Sequence, residues 1–176
     1  MSLQMDKQFF GDLFRTVIIS VLILSSLSSV AVAGTPEAVE HVIVSANLQR
    51  DGQLATQREV PLLLMVSAEE CPYCMVMESD YLVPLLRNRD YDDKVLIRKI
   101  HLDSFDDIIG FSGESVAPTD LSQDYGVWVT PTLLFLDGKG KEVQKRMIGL
   151  GVRDFVSAYI DESLVRATDA MKRLLP

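Results

Sequence analysis

The chain has only two cysteines, Cys71 and Cys74, three residues apart and directly behind the apolar run Val60-Pro-Leu-Leu-Leu-Met-Val-Ser67. A run that is apolar at consecutive positions lacks the alternation of a half-exposed strand and fits one covered on both faces. Such a strand needs a layer on either side, which points to a sheet between helices. From Pro72 the pattern turns helical, with Met75, Tyr81 and Leu82 apolar against Glu78, Ser79 and Asp80, until Pro84 kinks or ends the helix. The cysteines therefore occupy a strand-to-helix junction.

That position carries chemistry. Residues three apart at a helix start have Cα atoms about 5–6 Å apart, within the range a disulfide tolerates, so the pair can open and close with little backbone movement. Cys71, at the helix N-terminus, faces unpaired N–H groups and the positive end of the helix dipole, both of which favour a thiolate. Cys74, one turn in, lacks that advantage. Cys71 is accordingly the candidate nucleophile and Cys74 the thiol that resolves a mixed disulfide. Pro72 is harmless at the first helical position, where its missing N–H would have no intrahelical partner.

Other uses of the pair are less well served. A zinc site lacks a second C-x-x-C and would need His41 and His101, the chain's two histidines, to converge on the cysteines. An inert structural disulfide gains little, because so short a loop barely constrains the unfolded chain. The stronger rival is Cu(I), since Cys71, Cys74, Met75 and Met77 are soft ligands grouped together, although core packing suits each methionine as well.

The segments around this junction alternate strand with helix. His41–Ser45 suits a strand and Asn47–Glu59 a surface helix. Lys94–Leu102 reads as a strand, Asp103–Pro118 as a long loop, and Asp120–Tyr125 as a short helix capped by Thr119 and closed by Gly126. Thr132–Leu136 and Glu142–Ile148 form a hairpin across Asp137-Gly-Lys-Gly140. A final amphipathic helix places Val152, Phe155, Val156, Tyr159 and Ile160 on one stripe, extended by Ala167, Met171 and Leu174. The expected class is α/β, a three-layer sandwich around a mixed central sheet that ends in a hairpin and a helix.

Ahead of this unit, Lys7 and Arg15 precede the apolar stretch Val17–Val30, and Ala31-Val-Ala33 offers the small residues of a signal-peptidase site. Residues 1–33 are read as a signal peptide, or as an anchor if uncleaved, and 34–176 as the folding unit. The apolar stretch is short for a bilayer span and diluted by serines. An exported, periplasmic location is oxidising, so cysteines retained there are either bonded or kept reduced deliberately. The net charge of −8, with no basic stripe, argues against nucleic acid as a partner, and a membrane enters only if the first segment stays attached.

Taken together, Cys71-Pro-Tyr-Cys74 behind a buried strand, Tyr125-Gly-Val-Trp-Val-Thr-Pro-Thr-Leu-Leu-Phe-Leu-Asp-Gly138, and Ile148-Gly149 before a terminal helix resemble the thioredoxin superfamily. The tract from Cys71 to Glu78 is similar to exported thioredoxin-like proteins with C-x-x-C-x-x-M-E, including those of sulfur-oxidation systems. The resemblance implies a thioredoxin fold and a thiol-disulfide oxidoreductase. Its redox centre is the cysteine pair itself, with no bound cofactor or metal. Its partners are protein thiols and disulfides, together with an upstream thiol-disulfide electron donor. Pro131 would be the family's cis-proline facing the disulfide, Thr130 would offer backbone groups to a substrate strand, and Tyr73 and Trp128 would border the groove. Trp128 packed into the core is the alternative. Two positions depart from the family pattern. Met65 stands where a buried Asp is common, and Glu70 stands where a Trp commonly precedes the first cysteine. Glu69 or Glu70 could replace the missing acceptor through water, yet as anions both would raise the pKa of Cys71.

Overall fold

The computed structural model describes residues 41–174. The expected signal peptide and its cleavage site lie outside the described residues. Chain order from Leu48 is α1 (Leu48–Gln57), β1 (Leu62–Ser67), α2 (Pro72–Val76), a π-helical segment (Met77–Leu82), α3 (Val83–Arg87), β2 (Leu96–His101), β3 (Ile108–Ile109), β4 (Ser115–Val116), α4 (Pro118–Asp124), β5 (Thr132–Leu136), β6 (Glu142–Ile148) and α5 (Val156–Leu174).

The main sheet runs β2-β1-β5-β6. β1 pairs parallel with β2 and antiparallel with β5, and β6 closes the hairpin with β5. Every residue of β1 and β5 is buried, because alternate side chains feed two different cores. Leu63, Met65, Ile97, Leu133 and Phe135 point to the face covered by the cysteine helix and α5. Leu62, Leu64, Val66, Leu96, Leu134 and Leu136 point to the face covered by α1, α4 and the β3–β4 hairpin. The expected three layers and mixed sheet are present. Outer strand β6 carries Lys145 and Arg146, charges that discourage edge pairing with another chain.

Several local expectations change. His41–Ser45 makes only an isolated parallel bridge, Val44 to Lys99, with Ser45 N–H donating to Lys99 O at 2.8 Å. Asn47 caps α1, its side chain accepting the Arg50 N–H at 2.8 Å. The helix closes where Glu59 takes φ 56° and Val60 N–H reaches Ala55 O. The segment 103–118 holds the β3–β4 pair, whose two-residue strands are too short to show a period. α4 begins at Pro118 behind Ala117, and Thr119, expected as its cap, instead donates its hydroxyl to Leu102 O. Gly126 does end α4, at φ 63°. Pro84 neither breaks nor ends the cysteine helix. The backbone widens to π geometry ahead of it, with Val83 N–H bonding Glu78 O, and continues to Arg87.

Candidate active site

β1 delivers the chain to the cysteines through Ala68, Glu69 and Glu70. Asp103, just beyond β2, holds this short link by accepting the Glu69 N–H at 3.1 and 3.2 Å. Cys71 is the N-cap of α2, extended at φ −119° and ψ 98°, with Pro72 following it. Its Sγ accepts the Cys74 N–H at 3.1 Å, and its carbonyl accepts from Cys74 and Met75. One sulfur thus lies among the donors of the first helical turn. The two sulfurs are bonded at 2.07 Å, with the Cα atoms 5.1 Å apart. Both residues are nearly enclosed, Cys74 (3% exposed) more deeply than Cys71 (8%).

The loop from α4 to β5 comes up beside them. The Thr130–Pro131 peptide is cis, and the Thr130 hydroxyl donates to Cys71 Sγ at 3.4 Å. The Thr132 hydroxyl bonds Val129 O, and Gly149 N–H bonds Pro131 O at 2.8 Å, tying the loop to the end of β6. The structure thus brings Cys71, Cys74, Thr130 and Pro131 together. Tyr73 and Trp128 are both exposed, so the core alternative for Trp128 is discarded.

Met65 is fully buried on β1, opposite Lys99 in the strand register, and supplies no proton acceptor on the cysteine face. Glu69 and Glu70 are exposed. Met75 is 68% exposed, whereas Met77 is fully buried in the same core cluster as Cys71 and Cys74, so the two thioethers do not lie together beside the sulfurs.

One charged pair is scarcely marked in the sequence. Glu78, expected among outward polar residues, turns inward to Lys99 at 2.7 and 2.8 Å and also accepts the Val42 N–H. It stands four residues after Cys74, on the same side of the helix. That spacing was the available signal, and it gave no hint that a strand lysine would face it.

A family model described as a thioredoxin-like domain matches residues 48–162, from the first residue of α1 into α5. The chain belongs to this thioredoxin-like family. No curated protein matches it significantly. Among solved structures it is similar to a thioredoxin from Nicotiana alata, with 24% identity over 68% of this chain and 94% of that one and a TM-score of 0.44. It is similar also to Fasciola hepatica thioredoxin, with 19% identity, 72% and 99% coverage, and 0.48. A poplar thioredoxin h mutant gives 16%, 76% and 88%, and 0.50. A thioredoxin-like domain with this closely spaced disulfide is a thiol-disulfide oxidoreductase.

Proposed function

We propose that this thioredoxin-like oxidoreductase acts in the periplasm or an equivalent exported compartment, where it reduces disulfides of partner proteins with Cys71 as nucleophile and Cys74 as resolving thiol. The observation that carries the assignment of roles is the asymmetry of the two sulfurs. Cys71 Sγ is the one that receives both the Thr130 hydroxyl and the Cys74 N–H, and donors of this kind stabilise an anion. Cys74 lies deeper, and among the described residues no donor is bonded to its sulfur.

In the reduced protein, the Cys71 thiolate attacks one sulfur of the partner's disulfide. The partner's S–S bond breaks, a mixed disulfide forms, and the departing partner sulfur takes up a proton. Cys74 then loses its proton to solvent and attacks Cys71 Sγ, expelling the second partner sulfur as a thiol. Two electrons have passed to the partner and the Cys71–Cys74 bond is closed. A dithiol donor upstream reopens it by the same exchange. The sulfurs hold the electrons, so no dissociable cofactor or metal takes part.

The cis bond at Pro131 sets Thr130 beside the disulfide, where its backbone can pair with an extended partner segment. Tyr73 and Trp128, close in sequence to Cys71 and Thr130, offer exposed rings to that segment. Export is supported by the basic, apolar and small-residue order of residues 1–33.

Trapping tests the roles. Cys74→Ser should accumulate mixed disulfides through Cys71, and Cys71→Ser should accumulate none. Equal trapping by the two variants, or none by either, would remove the assignment. Mass analysis of the exported protein should show a new N-terminus at Gly34, whereas an intact Met1 in a membrane fraction would make the segment an anchor.

A further inference from the structure

The topology gathers carboxylates without cations around the cysteines. β1, β2 and β6 run toward the cysteines and β5 runs away, so the segments at 68–72, 102–107, 128–131 and 149–153 gather at the disulfide end. No Lys or Arg occurs from 59 to 86 or from 100 to 138. The link before Cys71 carries exposed Glu69 and Glu70, Asp103 is hydrogen-bonded to that link, and Asp106 and Asp107 continue its loop in exposed positions. Lys99 faces the cysteine side but is paired to Glu78, and Arg98 is paired to Asp51. Among the described residues, the exposed cation in the segments at this end is Arg153, whose carbonyl accepts from Tyr81, about two helical turns beyond Cys74. The other end mixes both signs, with Arg89 and Lys94 among Asp90, Asp92 and Asp93 before β2, and Lys139 and Lys141 between Asp137 and Glu142 in the β5–β6 turn.

Apolar side chains lie exposed at the same acidic end. Trp128, Tyr73, Val129 and Met75 flank the cysteine pair, and Phe105 stands fully in solvent between Asp103 and Asp106. An apolar surface with a rim of one sign fits a partner that buries apolar groups and answers the charge. We propose that the disulfide end selects partner proteins whose reducible cysteines are flanked by Lys or Arg, with Glu69, Glu70 and Asp103 as the residues that set the preference. This rests on the disulfide-reductase reading above and names its substrate class. The exchange itself is unchanged, two electrons passing from the Cys71–Cys74 dithiol to the partner's disulfide. The acidic rim raises the encounter rate with a basic segment and lowers it with an acidic one.

Single-turnover reduction by the pre-reduced full chain tests this, using two disulfide-linked peptides identical except for Lys or Glu on either side of the cysteine. The Lys peptide should react about tenfold faster in about 20 mM salt, and the ratio should fall below about twofold in about 0.5 M salt. In Glu69→Lys/Glu70→Lys the preference should reverse. Replacing those anions also alters the reactivity of Cys71 itself, but this affects both peptides equally and cancels in the ratio. Equal rates for the two peptides, or a ratio indifferent to salt, would overturn the proposal while leaving the reductase reading in place. If neither peptide is reduced by a protein whose two thiols are verified free, the reductase reading fails as well.

Discussion

Glu78 and Lys99 carry opposite charges into a mostly enclosed space, with side chains 14% and 12% exposed. Removing one partner of such a pair leaves the other desolvated and uncompensated, which costs more than the pair contributes while intact. Glu78→Gln keeps an oxygen for the Val42 N–H and removes only the charge, so it should lower stability by about 2–3 kcal/mol in urea unfolding. Adding Lys99→Met should recover much of that loss. An additive double variant would show that the two charges do not act on each other. Tyr125 gives a second prediction. Burial, and then the nearby Asp137 and Glu142 carboxylates, push its phenol up to about 12, and its hydroxyl donates to Gly140 O. The folded pKa exceeds the unfolded value, so this contribution is complete below about pH 10 and is lost as pH rises toward 12. With solvent screening the loss is about 1 kcal/mol. Stability measured across that window should fall less steeply in Tyr125→Phe. Tyr91, raised to about 12 chiefly by its hydrogen bond to Asp161, contributes to the slope that remains.

At the scale of elements, α5 shows what periodicity can and cannot resolve. Val156, Ile160, Leu164 and Ala167 are buried, whereas Val152, Phe155 and Tyr159, assigned to the same stripe, are exposed. The helix begins only at Val156, after a 3-10 turn at Arg153–Phe155, and the change of pitch rotates the earlier residues off the core line. Ile160→Ala should therefore cost about 2–5 kcal/mol and Tyr159→Ala less than about 1, by denaturant midpoints. Gly52 makes the complementary point. It sits inside α1, where Ala would gain about 1 kcal/mol of helix propensity. Yet a Cβ there would meet Gly138 O at 2.2 Å, and a Cβ on Gly138 would meet Thr56 Oγ1 at 1.9 Å. Gly52→Ala should destabilise by about 1–3 kcal/mol despite its propensity, because backbone must move to admit the methyl group. The strands with long apolar runs, β1 and β5, and the turn at Asp137–Gly140 were legible because burial on two faces and turn chemistry leave strong local marks. The cysteine junction was legible for the same reason. The β3–β4 hairpin, the inward turn of Glu78 and the role of Asp103 were not, since each depends on a neighbour distant in the chain. Thr119 fits the cap pattern, and only the tertiary proximity of Leu102 O diverts its hydroxyl.

For the molecule as a whole, the state of the two sulfurs and the stability of the fold are linked, and the link tests the direction of electron flow. Closing so short a loop restrains the unfolded chain less than a long loop would, by about 2 kcal/mol on the chain-entropy model, yet that is enough to compare the two redox states. The folded state already holds the cysteine Cα atoms 5.1 Å apart, so the bond asks little further of it. Against this, donors aimed at Cys71 Sγ favour an open pair with a thiolate, which stabilises the reduced fold. For a fold that tunes its pair toward giving electrons away, the first effect wins, and the oxidised form unfolds at higher denaturant than the reduced one. A margin of about 2 kcal/mol in that sense places the folded couple roughly 40 mV below the same cysteines in the unfolded chain. Parallel urea titrations of the oxidised and reduced protein, at one pH and under strict exclusion of oxygen, read the difference directly. An oxidised midpoint above the reduced one is expected. The opposite order would show that folding shifts the pair toward the oxidising direction, in which the same mixed-disulfide exchange runs in reverse and Cys71 takes electrons from partner thiols, and it would count against the reductase reading.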